Sequence, residues 1–402
     1  MIQSLFDERL LTELAGRFGT PLYAYSAETM RARMADLDCF DVVRFAQKAN
    51  SNLAVLRLLR AAGAEVDAVS AGEIVRALRA GFEPREIVFT ADLFDRAALE
   101  LVRQHPVGLN LGSPGMLREA ARSRPGASVT LRINPGFGHG HGPKVATGGE
   151  GSKHGIWHAD LAGWAAHARE LDLQVSGLHV HIGSGSDREH LERAAATLER
   201  CALDVGESLR MISAGGGLPI PYKSGEERFD VAAYARVWLA ARDRIAAQLG
   251  HQVDLEVEPG RYLTGEAGVL LCEARGTKQC GSTEYILVDA GFHTLVRPAM
   301  YGAWHAISVV GKQGEPTRPQ IVAGPLCESA DVFTPQPRDL PQVEPGDLLC
   351  IHDAGAYGAS MSSNYNSQPL PAEILVEGGR ATLVRRRQSF DELLAAEAEG
   401  ET

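Results

Sequence analysis

Between residues 42 and 258 the apolar positions alternate between short runs and longer, helically spaced patterns. Short runs fall at 42–47, 65–69, 86–90, 107–111, 128–134, 174–182, 209–214 and 253–258. Between them apolar residues recur every three or four positions, as at Leu53, Leu56, Leu59 and Ala62. This spacing predicts helices over 53–62, 72–80, 95–104, 160–171, 187–208 and 231–249. Eight strand–helix repeats predict an α/β fold, a (β/α)8 TIM-like barrel. An open doubly wound sheet is the other arrangement of such repeats, but no GxGxxG turn follows the first strand.

Beyond about residue 262 the pattern changes. Runs at 284–288, 320–323 and 347–351 are short and separated by Gly or Pro, and no long helical pattern returns until the last fifteen residues. This predicts a second, mostly antiparallel β-barrel or sandwich domain. The expected division is a barrel over 25–262 and a β domain over 263–402 completed by residues 1–24. Residues 135–155 contain eight glycines and no apolar period, which suits a mobile polar lid or binding loop. His139 and His141 lie in it without a third ligand at metal spacing, so no metal is expected.

Composition narrows the possibilities further. With 402 residues, 45% apolar and 23% charged, the chain reads as a soluble globular protein of two domains. A net charge of −11 disfavours nucleic acid and anionic membrane as partners. No apolar run is long enough for a membrane span, and the acidic, amphipathic N-terminus is unlike a signal peptide. The six cysteines form no CxxC pair, as in a cytoplasmic protein with reduced thiols.

Several polar motifs fall at the ends of the proposed barrel strands, the face on which barrels carry active sites. Lys48 follows the first strand, GLHVHIGSGS (177–186) ends the sixth, ISAGGGLP (212–219) the seventh and LEVEPGRY (255–262) the eighth. Gly215, Gly216 and Gly217 would let backbone N–H groups approach an anion, with Ser184 and Arg261 beside them. Each feature also has a bland counterpart: a surface lysine, a flexible turn, a surface ion pair at Glu258, core histidines at 179 and 181. Together, a lysine, an anion cradle and a carboxylate on one rim are what pyridoxal phosphate requires.

These residues carry a family resemblance. FAQKANSN (45–52), HVHIGSG (179–185), SAGGGL (213–218), EPGR (258–261), RPAMYG (297–302), GPLCESADVF (324–333) and GAYGASMSSNYNS (355–367) occur in the order found in the alanine-racemase-fold, or group IV, pyridoxal phosphate decarboxylases. Within them the chain resembles the diaminopimelate decarboxylases, from about residue 20 to the C-terminus. The resemblance implies that Lys48 holds the cofactor as a Schiff base and that His181 stacks on its ring. Ser184 and Gly215–Gly217 would hold its phosphate, and Glu258 would pair with the ring nitrogen. Arg261, Arg297, Tyr301 and Glu328 would contact substrate, and Tyr357 both cofactor and substrate.

The resemblance further implies that Cys327 is the proton donor. An ordinary thiol, with a pKa of roughly 8.5, carries the necessary proton at neutral pH. It also implies a homodimer in which Cys327 and Glu328 complete the site of the other subunit. The implied reaction is decarboxylation of meso-2,6-diaminopimelate to L-lysine and carbon dioxide. Decarboxylation of another basic amino acid (D-ornithine, D-lysine or L-arginine), racemisation, and cofactor binding without catalysis are the alternatives. Two positions depart from the family pattern: Ala330 stands where glycine is usual, and Gln47 where an apolar residue is common.

Overall fold

The computed structural model describes residues 5–138, 147–183 and 187–397. They divide into two compact units, Arg31–Ile220 with Arg228–Leu263, and Met1–Met30 with Pro221–Glu227 and Thr264–Thr402. Helix α1 (Glu8–Phe18) and strand β1 (Leu22–Ser26) belong to the second of these, and helix α2 (Ala27–Ala35) leads into the first. Strand β1 thus runs through the boundary expected at residue 24. Pro221–Glu227 groups with the C-terminal residues although it lies within the barrel's stretch of sequence.

The first unit is the expected barrel. Its strands are β2 (Val42–Ala46), β3 (Glu65–Ala68), β4 (Ile87–Ala91), β5 (Gly108–Leu111), β6 (Ser128–Asn134), the short β7 (Ile156–Trp157), β8 (Gln174–Val180), β9 (Met211–Ser213) and β10 (Asp254–Val257). They pair in parallel in the order β5-β4-β3-β2-β10-β9-β8-β6. The β5–β6 pairing closes the ring, and β7 lies outside it beside β6. Helices α3 (Leu53–Ala61), α4 (Ala71–Ala80), α5 (Arg96–Gln104), α6 (Pro114–Ser123), α7 (Leu161–Glu170), α8 (Arg188–Val205) and α9 (Val231–Leu249) fill the connections. Most begin at a side chain that accepts an otherwise unpaired backbone N–H: Asn52, Ser70, Asp95, Ser113, Asp187 and Asp230. Such caps contribute about 1 kcal/mol each.

Strand alternation sorts the barrel's side chains into two faces. Phe45, Val66, Ile87, Phe89, Leu109 and Leu131 are buried on one face, as a helix-covered sheet requires. The other face carries Arg44, Asp67, Thr90, Asn110, Arg132, His179, Ser213 and Glu256, which are also buried. These interact across the ring. Arg44 bridges Glu256 and Glu65 at 2.7 Å each, and the charges of Glu258 and Asp67 reach Arg132. The barrel interior is therefore polar and ionic, where many barrels hold branched aliphatic layers.

The second unit is built on one sheet. After β1 come β11 (Gly268–Cys280), β12 (Thr283–Val288), β13 (Ile307–Val309), β14 (Thr317–Ala323), β15 (Arg338–Pro341), β16 (Leu348–Ile351), β17 (Ala372–Glu377) and β18 (Arg380–Arg385). Neighbours run β15-β14-β12-β11-β1-β17-β18, with β16 joining β11 to β13. All pairs are antiparallel except β1–β17 and β12–β14. Strand β1 sits mid-sheet, between β11 and β17, and Leu11 and Leu14 of α1 pack with Leu22, Leu271 and Ile374 in its core. Among the described residues no helix is long and apolar enough to cross a membrane, and no three potential ligands cluster as for a metal. His139 and His141 lie outside the described residues.

Candidate active site

Lys48 occupies a 3-10 turn, Gln47–Ala49, directly after β2. Gln47, fully buried despite its polarity, fixes this turn by donating from Nε2 to the Glu73 carbonyl at 3.1 Å. The EPGR segment lies against the same turn: Ala46 N–H donates to the Pro259 carbonyl at 3.0 Å. A side chain on Gly260 would press on Ala46 and Ala49, so glycine permits the close approach. Arg261 follows as the first residue of a single helical turn. The Lys48 charge bears on Asp67, Glu73, His181 and Glu258.

Glu258 is buried, with Oε2 2.7 Å from His179 Nε2. Burial would raise its pKa, but the charge and hydrogen bond of His179, with Lys48 behind them, outweigh burial and hold it at about 2. Glu258 Oε1 is buried with no hydrogen-bond partner among the described residues. An ionised carboxylate oxygen in that position requires a donor, and a pyridinium N–H is one. Asp67, at the end of β3, has the opposite character. Burial, reinforced by the Glu258 charge and partly offset by Lys48, pushes its pKa up to about 7.

His181 follows β8. Its Nδ1 accepts the Gly216 N–H at 3.2 Å, so the ring is bound as an acceptor at that nitrogen. Burial, then the positive charges of Arg132 and Lys48, holds its pKa well below the usual histidine range. His181 is thus a neutral ring at working pH. Gly215 and Gly217 have left-handed φ values of 64° and 101°. A Cβ on Gly215, Gly216 or Gly217 would collide with the carbonyl oxygen of Val180, Glu258 or Gly183 respectively. The turn therefore brings bare backbone to the rim between His181 and Glu258. Ser184 lies outside the described residues.

The described flanks of the glycine-rich segment are pinned. Asn134 accepts from Gly136 N–H and Gly149 N–H and donates to the Gly149 carbonyl. Thr147 donates from its hydroxyl to the His181 carbonyl and from its N–H to the Ile182 carbonyl. His154 Nδ1 lies 2.7 Å from Asp92 Oδ2.

The other candidate residues belong to the β unit. Arg297 opens the short helix Arg297–Tyr301 and is buried. Its Nη1 donates to His305 Nε2 at 2.8 Å, and its guanidinium lies 4.9 Å from the Tyr222 ring centroid. His305 Nδ1 is 2.8 Å from the His352 carbonyl, which fixes the tautomer that accepts from Arg297. Tyr301, four residues on and so on the same helical face, is half-exposed. Tyr357 takes a left-handed φ of 57°, a strained conformation for a residue with a side chain.

Cys327 and Glu328 are exposed on the turn after β14. Asp331 shapes this turn by accepting from Phe292 N–H and Leu326 N–H, each at 2.7 Å. Ala330 is not among the left-handed residues, so its departure from glycine imposes no backbone strain. Asp67, the His179–Glu258 bond, and the contacts of Tyr365 and Asn366 to this turn go beyond the sequence expectations. Asp67 carries a signal in principle, as a polar residue between Val66 and Ala68 in its strand.

Lys48, the open oxygen of Glu258, the neutral His181 and the bare-backbone glycine turn are chemically suited to the aldehyde, ring nitrogen, ring face and phosphate of pyridoxal phosphate. Residues 27–265 match the family model "Pyridoxal-dependent decarboxylase, pyridoxal binding domain". The chain is 52% identical over 402 residues to diaminopimelate decarboxylase of Escherichia coli K12, covering 96% of each. It is 50% identical to that of Streptomyces coelicolor, covering 98% of this chain and 92% of the relative. A crystal structure of a diaminopimelate decarboxylase superposes with a TM-score of 0.95 at 51% identity, covering 98% of this chain and 97% of the other. The Helicobacter pylori enzyme, solved with L-lysine, gives 0.88 at 32%, covering 96% and 98%. The chain belongs to the diaminopimelate decarboxylase family of pyridoxal-dependent decarboxylases.

Proposed function

We propose that this chain decarboxylates meso-2,6-diaminopimelate to L-lysine and carbon dioxide, the last step of lysine biosynthesis, with pyridoxal phosphate as cofactor. The observation that carries the reading is the buried, ionised Glu258 with one open oxygen, on the rim that also bears Lys48 and the glycine turn. Whole-length similarity to diaminopimelate decarboxylases supports the substrate.

When bound, the cofactor supplies a protonated ring that accepts the electron pair left by the departing carboxylate. Lys48 would bind its aldehyde, and Glu258, backed by His179, would keep its ring nitrogen protonated. His181, neutral, would lie on the ring face without adding charge. Gly215, Gly216, Gly217 and Ser184 would bind the phosphate, and Arg261 and Tyr357 would contact cofactor and substrate. Arg297, oriented by His305, would grip the substrate's distal carboxylate, with Tyr301 beside it.

The enzyme would act as a homodimer. The partner subunit's Glu328 would take the distal ammonium, and the partner subunit's Cys327 would give its thiol proton to the carbon that lost its carboxylate. One C–C bond breaks and one C–H bond forms. The thiol regains its proton from solvent, so each turnover consumes one proton. The six cysteines are all unpaired, which supports a cytoplasmic location.

The distal carboxylate is the discriminating feature. Wild-type protein should turn over meso-diaminopimelate and leave D-ornithine, D-lysine and L-arginine untouched, and Arg297→Ala should lose diaminopimelate turnover. Equal turnover of an amine lacking the distal carboxylate would overturn the assignment.

A further inference from the structure

Two adjacent residues near the C-terminus hold the two adjacent residues of the Cys327–Glu328 turn. Tyr365 Oη donates to Glu328 Oε1 at 2.6 Å, and Cys327 N–H donates to Asn366 Oδ1 at 3.0 Å. We propose that Tyr365 and Asn366 are positioning residues for the reaction. Tyr365 aims the Glu328 carboxylate at the substrate's distal ammonium, and Asn366 fixes the backbone from which the Cys327 thiol projects. This rests on the roles given above to Cys327 and Glu328.

The local backbone is built for this grip. Asn366 and Ser367 have φ values of 53° and 54°. Asparagine is one of the few residues with a side chain that enters this region readily. The turn allows Tyr365 and Asn366 to address residues 328 and 327 from consecutive positions.

A second set of contacts braces the arrangement. The Tyr365 ring packs on Phe292, with centroids 5.4 Å apart and planes 32° apart. Phe292 N–H donates to Asp331 Oδ1, while Asp331 Oδ2 accepts from Leu326 N–H. The turn is thus held from Leu326 and Asp331 on one side and from Asn366 and Tyr365 on the other, with Phe292 touching both. Ser363 N–H donates to the His293 carbonyl at 2.9 Å and Ser362 Oγ to the Thr294 carbonyl at 3.0 Å, which anchors the arm carrying Tyr365. Its hydrogen bond to Glu328 raises the Tyr365 phenol, so the hydroxyl keeps its proton and stays a donor. Glu328 is exposed, and a long exposed carboxylate without such a donor samples many rotamers.

The test uses holoenzyme with meso-diaminopimelate and the variants Tyr365→Phe, Asn366→Gly and Asn366→Asp. Glycine keeps the left-handed backbone and removes the acceptor, whereas aspartate keeps an acceptor. Tyr365→Phe is expected to raise KM about tenfold with kcat within about twofold, the scale of one lost hydrogen bond. Asn366→Gly is expected to lower kcat about tenfold with little change in KM, and Asn366→Asp to restore it. Site-resolved alkylation by iodoacetamide should show an altered rate at Cys327 in Asn366→Gly only. A purely structural role would instead lower Tm and move both constants together. Unchanged KM, kcat and alkylation in Tyr365→Phe and Asn366→Gly, while Cys327→Ser and Glu328→Gln are impaired, would overturn the positioning role. Wild-type turnover by Cys327→Ser and Glu328→Gln would overturn the parent reading, and the positioning role with it.

Discussion

Replacing Glu258 with glutamine keeps the shape of the side chain and removes its charge. The carboxyl sits at about 2, against roughly 4.3 for an unperturbed glutamate, so its surroundings favour the ionised form by about 3 kcal/mol. A carboxyl with a depressed pKa contributes stability above its ordinary value and loses it as the pH falls toward the depressed one. At pH 7 to 8 that contribution is fully present. Glutamine removes the anion 2.7 Å from His179 Nε2 and the anionic acceptor at the buried Oε1. Losing one preorganised charge contact at a reacting centre costs roughly 3–4 kcal/mol, a fall in kcat of about 100- to 1000-fold. The assay is carbon dioxide release at saturating diaminopimelate, with cofactor binding followed by absorbance titration and folding by Tm. Glu258→Asp, which keeps the charge on a shorter arm, should fall in between. A Glu258→Gln protein that binds cofactor and keeps kcat within about threefold of wild type would refute the assigned role, since the expected loss is far larger.

Two further predictions concern the barrel interior and the β unit. Arg44 bridges Glu256 and Glu65 in the buried ring, so Arg44→Ala strands a buried carboxylate and should lower the unfolding free energy by about 3–5 kcal/mol in urea titration. A change below about 1 kcal/mol would show that the pair is not sequestered from water. His352 is buried, with Nε2 2.8 Å from Ser308 Oγ, and burial lowers its pKa to about 4. Below the unfolded pKa of about 6.5 the unfolded chain takes up the proton first, so stability falls as the pH drops from there toward 4. The stability difference between wild type and His352→Gln should therefore shift by about 2 kcal/mol against wild type between pH 7 and pH 5. A pH-independent difference would refute it.

The barrel was legible because each strand has one apolar face against helices, and runs such as 128–134 mark a strand of that very length. The strand termini shifted by at most two residues, as at 174–182, which ends at Val180. The ionic interior was harder to read. Arg44, Asp67 and Glu256 sit at alternating positions, but their pairing joins strands more than 200 residues apart, as in Arg44–Glu256, and no local spacing encodes it. For the same reason no local spacing ties His179 to Glu258, 79 residues away. The expected boundary at residue 24 missed the continuity of β1 because an edge-to-edge pairing with β17, 350 residues away, leaves no periodic trace. Pro221–Glu227 carries no apolar period at all. The Cys327–Glu328 turn was visible as a motif, whereas its support from Tyr365 and Asn366 depends on the left-handed backbone at 366 and 367.

The central claim is tested most directly by incubating the purified protein with pyridoxal phosphate and meso-diaminopimelate and quantifying both products. Carbon dioxide and L-lysine should form in equal amounts, one proton should be consumed per turnover, and the Lys48→Ala protein should form neither product. No lysine from the wild-type protein above the Lys48→Ala control would contradict the proposed function.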